Sequence, residues 1–533
     1  MITQLDCTLR DGGYYNNWNF ERGLVENYLG AMVEVGVGAI EIGLRSLRNQ
    51  GFKGASAFCK DEYLKTLPLP DDVLIGVMVN ASELVDDDAL EYKLGQLFPV
   101  NSAASPVSLV RIACHVHEFS SVLPATEWLR ERGYIVGFNL MQVADRTRDE
   151  IRSLAQAATQ YQPDVLYFAD SMGCMDPRQT AEVISWLREG WQGPLGIHTH
   201  DNMGLALQNT LCAIDQGVTW VDATVTGMGR GPGNARTEEL AIEMAERKGQ
   251  DVNLIPLMQL IRTHFRPMQY HYGWGTNPYY FLAGKFGIHP SYVQEMLADS
   301  RYLEEDILAV IEHLRKEGGK KFSREALDSA RHFYRGEPEG SWSPDALLAG
   351  REVLLLGSGP GVKEHNGAIE QYIREYRPLV MALNTQSSVD SALIDVRVAC
   401  HPVRLLADCD VHSRLPQPLI TPASMLPDHV RSALRGKELL DYGFSVRGGT
   451  FRFGDSFCTV PVSLVIAYAL AIATSGKALR ILMAGFDGYG ADDPRSAEMQ
   501  SLLSQYQACA EALPLLAVTP TRYSVPVQSI YAM

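Results

Sequence analysis

His198 and His200 stand two residues apart in the run Ile197-His198-Thr199-His200-Asp201-Asn202. On an extended strand, residues i and i+2 face the same side, so the two imidazoles can address one metal ion together. The alternative is a pair of hydrogen-bonded histidines at a strand end. Near the start of the chain, Thr8-Leu9-Arg10-Asp11-Gly12-Gly13 sets a permanent planar cation beside a hard carboxylate ligand, with two glycines that permit tight backbone geometry. A surface Arg–Asp turn would look the same. A third cluster, Thr226-Gly227-Met228-Gly229-Arg230-Gly231-Pro232-Gly233-Asn234, is rich in glycine, and Asn234 is either the N-cap of the helix that follows or a neutral oxygen ligand. Asp11, His198, His200 and Asn234 form an O/N donor set. It suits Mn²⁺, Fe²⁺, Co²⁺ or Zn²⁺ with open positions, and Mg²⁺ less naturally; without thiolates a closed structural zinc site is not expected.

The elements that must position these residues are legible as eight short apolar runs: Thr3–Leu9, Ala39–Gly43, Val73–Val79, Ser108–Ala113, Tyr134–Leu140, Val165–Ala169, Leu195–His200 and Trp220–Val225. They are too short for helices and too uniformly apolar for a half-exposed sheet, which predicts buried parallel strands. Amphipathic helical patterns lie between them, including Phe20–Val35 with Asn19 as its N-cap, Thr147–Tyr161, Pro177–Glu189 and Leu205–Gln216. Eight strand–helix repeats predict a (β/α)8 barrel, with an open doubly wound sheet as the alternative. In a barrel, the three clusters fall at the carboxyl ends of the first, seventh and eighth strands, where such folds carry their chemistry.

Composition narrows the function classes. The net charge of −16 is interspersed with no basic run, which argues against nucleic-acid binding. Nine scattered cysteines without a CxxC pair fit a reducing, cytoplasmic compartment. Met1–Asp6 lacks the basic and apolar regions of a signal peptide. Val460–Thr474 is shorter than the roughly 20 residues a membrane span needs and reads as a buried helix.

Three segments are expected: a barrel over 1–265, a helical extension and linker over 266–345, and a second α/β domain over 346–533. Asp251–Arg335 reads as mostly helical with an aromatic entry (Tyr270, Tyr272, Trp274, Tyr279, Tyr280, Phe281), before a Gly/Pro/Ser-rich linker at Arg335–Pro344. In the last segment, Val353–Lys363 reads as strand, glycine turn and helix start. Gly357, Ser358, Gly359 and Gly361 are therefore candidate anion-binding residues, or a bare structural turn. The G-x-G-x-x-G pattern is incomplete because Val362 replaces its third glycine. Asp487 is either a ligand-binding strand-end acid or a turn aspartate.

Over residues 1–245 the motifs together resemble the DRE-TIM metallolyase superfamily: R-D-G at Arg10-Asp11-Gly12, H-T-H-D-N from His198, the glycine loop through Asn234 to Glu238-Glu239, Asp170-Ser171-Met172-Gly173, and Glu41-Ile42-Gly43. Within it the chain looks most like 4-hydroxy-2-oxovalerate aldolase-like proteins. That resemblance implies a divalent-metal-dependent aldolase or lyase, with Mn²⁺ foremost, acting through the enolate of a 2-oxo acid such as pyruvate together with an aldehyde. Arg10 would stabilise the enolate, and Glu41, Ser171 and Thr226 would join it in binding substrate. The family places a histidine three residues after the ligand aspartate; here Tyr14 stands there, a candidate catalytic residue that donates a proton or positions a water, with shaping of the pocket as the alternative. A Claisen-type acyl-CoA synthase shares the barrel motifs, and a catalytically lapsed scaffold beneath an active second domain is a third reading. The related barrels are usually oligomeric. The second domain resembles Rossmann-like domains of bacterial surface-glycan enzymes, which implies a nucleotide or nucleotide-sugar ligand and a link to cell-surface sugar synthesis.

Overall fold

The computed structural model describes residues 2–85, 90–299, 302, 304–320, 322–323, 337–489 and 493–533. The chain divides into two compact units, one formed by residues 1–298 and 315–322, the other by residues 299–314 and 323–533. The helical stretch expected between barrel and second domain is therefore shared between the units; its portion 324–336, with Arg335 and Gly336 of the expected linker, lies outside the described residues.

In the first unit, eight parallel strands close into a barrel in sequence order. They are β1 (Thr3–Asp6), β2 (Ala39–Leu44), β3 (Leu74–Asn80), β4 (Leu109–Cys114), β5 (Ile135–Leu140), β6 (Val165–Asp170), β7 (Leu195–Thr199) and β8 (Trp220–Ala223). The open-sheet alternative is excluded by the pairing of β1 with both β2 and β8. Strand residues facing outward pack with the inner faces of the surrounding helices in one continuous apolar core.

β1 is shorter than its apolar run. The buried Asp6 carboxylate accepts the Thr8 amide (2.8 Å), the Tyr28 hydroxyl (2.5 Å) and the Thr237 hydroxyl (2.5 Å). The first of these bonds turns the backbone out of extension, and Thr8–Asp11 becomes a single helical turn. Arg10 and Asp11 thus sit on a turn beyond the strand. The helix expected over Phe20–Val35 runs Arg22–Glu34 with Glu21 at its N-cap, so the expected Asn19 cap is corrected. Helices Arg148–Tyr161 and Pro177–Arg188 begin with capping boxes, Thr147/Glu150 and Asp176/Gln179.

Helices Arg266–Tyr272, Pro278–Lys285 and Pro290–Ala298 carry the aromatic segment back to the barrel. The Trp274 indole donates to the Thr226 carbonyl (3.1 Å), the Thr276 hydroxyl donates to the Asn202 carbonyl (2.8 Å), and Tyr15 packs against Tyr272 and Trp274. Trp274 and Tyr280 are buried there, while Tyr270 remains exposed.

The second unit is built on a seven-stranded parallel sheet. Its strands are β9 (Glu352–Leu356), β10 (Leu379–Leu383), β11 (Val396–Val398), β12 (Leu419–Thr421), β13 (Leu439–Asp441), β17 (Arg480–Ala484) and β18 (Leu515–Ala517), ordered 13-12-11-10-9-17-18. A small sheet of β14 (Gly443–Val446), β15 (Arg452–Phe453) and β16 (Phe457–Val460) accompanies it. Val353 and Leu355 belong to one apolar cluster and Leu354 and Leu356 to another, so both faces of the large sheet are covered. Helix Val465–Ser475 is buried on nearly every side, as its composition predicts. No described helix is long and apolar enough to cross a membrane.

Candidate metal and enolate site

At the carboxyl end of the barrel, the helical turn after β1 brings Asp11 to the end of β7. Asp11 Oδ2 lies 3.6 Å from His198 Nε2 and 3.9 Å from His200 Nε2, and the three donor atoms lie within 4.8 Å of one another. Each imidazole is oriented from behind. His198 Nδ1 donates to Asp222 Oδ2 (2.9 Å), and His200 Nδ1 donates to the Ser171 carbonyl (3.1 Å). With Nδ1 protonated in both, the Nε2 lone pairs are left to face Asp11, the arrangement that fixes a metal-binding histidine. Burial foremost, then His198 and Arg230, pushes the His200 imidazolium down to about 3, so this ring is neutral and able to ligate at physiological pH.

Asn234 does not take the N-cap position. The helix that follows, Thr237–Lys248, has Arg236 at its N-cap position without a side-chain capping bond, while Asn234 Nδ2 donates to Asp11 Oδ2 (2.5 Å) and its amide oxygen is buried without a partner. Gly229 lies against this pair: a Cβ there would come within 2.5 Å of Asn234 Nδ2 and 2.8 Å of Asp11 Oδ2. The orphaned amide oxygen, the backed imidazoles and the hard carboxylate fit a divalent cation. Cys7, His198 and Asp222 also converge. That set is a poor match, because burial pushes the Cys7 thiol well up and Asp222 is engaged by Arg111.

Beneath the donors runs a closed ring of charge. Asp11 pairs with Arg10 (2.6 Å), Arg10 with Glu41 (2.6 Å), Glu41 with Arg111 (2.6 Å), Arg111 with Asp222 (2.8 Å), and Asp222 with His198 (2.9 Å), which returns to Asp11. Three carboxylates against two guanidiniums leave one excess negative charge, which favours a cation. Burial alone would raise the Asp11 carboxyl; Arg10 first, with the Asn234 amide, holds it well below the usual carboxylate range. Asp222 is lowered likewise, burial being outweighed by Arg111 and His198. Burial opposes the Arg10 charge, and Asp11 and Glu41 are among the groups that more than offset it. Arg10 Nη2 is buried and unpartnered, one guanidinium donor left open for an anion.

The remaining expected site residues divide. Ser171 is buried and its Oγ accepts the Gln142 amide (3.0 Å), so its own proton is available to a substrate. Thr226 is corrected as a substrate donor, because its hydroxyl donates to the Val225 carbonyl (2.7 Å) and its amide to Glu238. Glu41 is 0 % exposed with its two oxygens taken by two guanidiniums, so the expected direct substrate contact is replaced by a hold on Arg10. Tyr14 is 44 % exposed and packs edge-on against Trp18 at 4.9 Å; no hydrogen bond among the described residues ties it to the cluster. Sequence reading missed Arg111 and Asp222, although a charged residue inside each of the apolar runs Leu109–Cys114 and Trp220–Ala223 is the signal that would have found them.

In the second unit, Gly357, Ser358, Gly359 and Gly361 do follow β9 at the start of helix Pro360–Glu364. The Gly361 amide, however, donates to Asp487 Oδ1 (3.1 Å). The chain's own carboxylate occupies the turn, which corrects its reading as an open anion site.

Residues 1–263 match the model of the family described as HMGL-like. A 4-hydroxy-2-oxovalerate aldolase of Rhodococcus opacus is 32 % identical over 266 residues, covering 48 % of this chain and 72 % of the relative. The chain belongs to the HMGL-like family. A second 4-hydroxy-2-oxovalerate aldolase, from Pelotomaculum thermopropionicum, is 32 % identical over 45 % of this chain and 68 % of its own length. Among solved structures, the N-terminal domain of a Bacteroides vulgatus protein assigned as an aldolase superposes with a TM-score of 0.51 at 31 % identity, covering 56 % of this chain and 98 % of that one. As an HMGL-like protein of the DRE-TIM type, the chain belongs to a family of lyases and aldolases, and its donors stand where a barrel of this architecture places its chemistry.

Proposed function

We propose that this protein is a divalent-metal-dependent aldolase that makes or breaks a carbon–carbon bond between the enolate of a 2-oxo acid, such as pyruvate, and an aldehyde. The observation that carries the reading is the convergence of Asp11, His198 and His200 beside an Arg10 with one open, buried donor. Asp11, His198, His200 and Asn234 would hold the cation; the donor set suits Mn²⁺, Fe²⁺, Co²⁺ or Zn²⁺, and Mn²⁺ is the ion proposed from the family resemblance. When bound, it supplies Lewis-acid polarisation of the oxo acid's carbonyl.

The chain's own residues do the rest. Arg10, fixed through Nε on Glu41 and Nη1 on Asp11, presents Nη2 to the oxygen on which negative charge develops. Ser171 donates its hydroxyl proton to the oxo acid and, through its carbonyl, holds His200. Trp274 and Tyr280 pack against the strand-end loops and exclude water from that side. Tyr14 follows Asp11 at the barrel mouth and, in contact with solvent, moves the proton of the aldehyde-side hydroxyl. The nine cysteines, all free, support a reducing compartment such as the cytoplasm.

The test is aldehyde-dependent consumption of pyruvate with Mn²⁺ and, without aldehyde, exchange of solvent deuterium into the pyruvate methyl group. Full turnover in exhaustively chelated buffer would refute the metal-assisted enolate. Release of free CoA from an acyl-CoA in place of aldehyde dependence would convert the reading to a Claisen-type synthase.

A further inference from the structure

A cavity of about 470 Å³ opens at the carboxyl edge of the large sheet in the second unit, and its position follows from strand order. β9 lies between β10 and β17. After β9 the chain turns into helix Asn366–Tyr376, whose Ile369 and Ile373 pack on one face of the sheet. Helix Pro494–Gln507, after β17, sends Leu502 and Leu503 to the other face. Neighbouring connections that depart to opposite faces leave a crevice between them, the place where open parallel sheets take their ligands.

The lining has a definite chemistry. Gly359 and Gly361 are small because Asp487 fills the turn: a Cβ at Gly359 would come within 2.1 Å of Asp487 Oδ2, and one at Gly361 within 2.5 Å of Oδ1. A phosphate seated on those amides would meet that carboxylate. Asp487 Oδ1 is satisfied by the Gly361 amide, whereas Oδ2 is buried without a partner and calls for a donor such as a hydroxyl. Of the basic side chains lining the cavity, His401 lies 2.7 Å from Asp306 and Arg495 pairs with Asp493 (2.6 Å). Arg404 forms no ion pair among the described residues and is the cation open to an anionic group. Phe486, Tyr489 and Tyr523 supply the aromatic wall, with the Arg495 guanidinium 4.0 Å over the Tyr489 ring.

We infer that this cavity binds a nucleoside monophosphate or a molecule built on one. The ribose diol donates to Asp487, the anion pairs with Arg404, and the planar base packs against the aromatic wall. The cavity volume suits a ligand of this size. The glycine turn thereby acts on the ligand through the acid it seats, and the phosphate lies away from the helix start where a sequence fingerprint would put it.

Calorimetric titration of the full chain tests this with the four ribonucleoside 5′-monophosphates, their 2′,3′-dideoxy counterparts, the free nucleosides, ribose 5-phosphate and inorganic phosphate. At least one ribonucleotide should bind, and its dideoxy form should bind roughly 10- to 100-fold more weakly, the usual effect of losing a hydrogen bond to a charged group. Asp487→Asn retains an acceptor for the Gly361 amide, so the turn persists, and it should weaken the ribonucleotide by a similar factor. Arg404→Ala should weaken the nucleotide and leave the nucleoside unchanged. An unaltered melting temperature in both variants shows that the fold is kept. Failure of every ribonucleotide to bind, equal binding of ribo and dideoxy forms, or equal binding of ribose 5-phosphate or inorganic phosphate would each overturn the assignment.

Discussion

Replacing Glu41 with glutamine tests whether a residue that never meets substrate sets the reactivity of one that does. Glu41 accepts Arg10 Nε through Oε1 and Arg111 Nε through Oε2, each at 2.6 Å, with its side chain fully buried. An amide keeps one acceptor and sets an N–H against the other guanidinium. Arg111 is the more deeply buried of the two, so stranding its Nε costs more, and the amide oxygen goes to Arg111. Arg10 then loses a charge-assisted hydrogen bond of about 1.5–3 kcal/mol and with it the fixed direction of Nη2. Turnover on pyruvate and aldehyde should fall roughly 10- to 100-fold, while Mn²⁺ still binds because none of its ligand atoms changes. Steady-state kinetics of Glu41→Gln, Arg10→Lys and the double variant decide it. Since Glu41 acts through Arg10, the double variant should be no slower than Arg10→Lys alone. Turnover of Glu41→Gln within about threefold of the parent chain, or a double variant whose loss is the product of the two single losses, would refute the reasoning.

Other outcomes follow from the same geometry. The combined Asp11→Ala and His200→Ala variant should show no Mn²⁺ binding by calorimetry, and ordinary affinity there would remove the site. Tyr14→Phe should lower turnover by roughly 100-fold without moving the KM for the oxo acid, and an unchanged rate would discharge Tyr14 from the mechanism. Burial, opposed by the Met175 and Cys174 amides, pushes the Asp170 carboxyl up to about 6. An acid raised in the folded state contributes its stability in full below the ordinary value of 3.8 and loses it as pH climbs through about 6. Asp170→Asn should therefore flatten the fall in stability of the barrel transition across pH 4–6, by roughly 3 kcal/mol at most, and thermal unfolding with an unchanged pH slope would contradict the assignment.

The barrel was readable because its signal is local. Uniformly apolar runs of strand length, spaced by amphipathic helices, leave little choice of architecture once eight of them are in place. The histidine pair was readable for the same reason, since strand alternation alone sets His198 and His200 on one side. Thr226 and Glu41 were misread because their types and positions permit substrate contact, and only the direction of a hydroxyl proton and the burial of a carboxylate show where those groups are engaged. Arg111 and Asp222 each stand as a lone charge in a hydrophobic run, a local sign that something must pair them, but the partner that makes each tolerable in the interior lies 111 residues away, where residue order does not point.

What the sequence by itself determined is the set of local elements and the residue types at their ends: a carboxylate after the first strand, two imidazoles in register on the seventh, and glycine turns where backbone must come close. What only the tertiary structure decided is how those groups complete one another's charges and hydrogen bonds. The ring from Asp11 through Arg10, Glu41, Arg111 and Asp222 to His198 joins five strand ends or interiors. The Gly359 turn likewise encloses an acid from another strand where the local pattern pointed to a ligand's phosphate. Both depend on distances between segments remote in the chain. Electrostatic pairing in a low-dielectric interior is set by those distances, which local residue order does not encode.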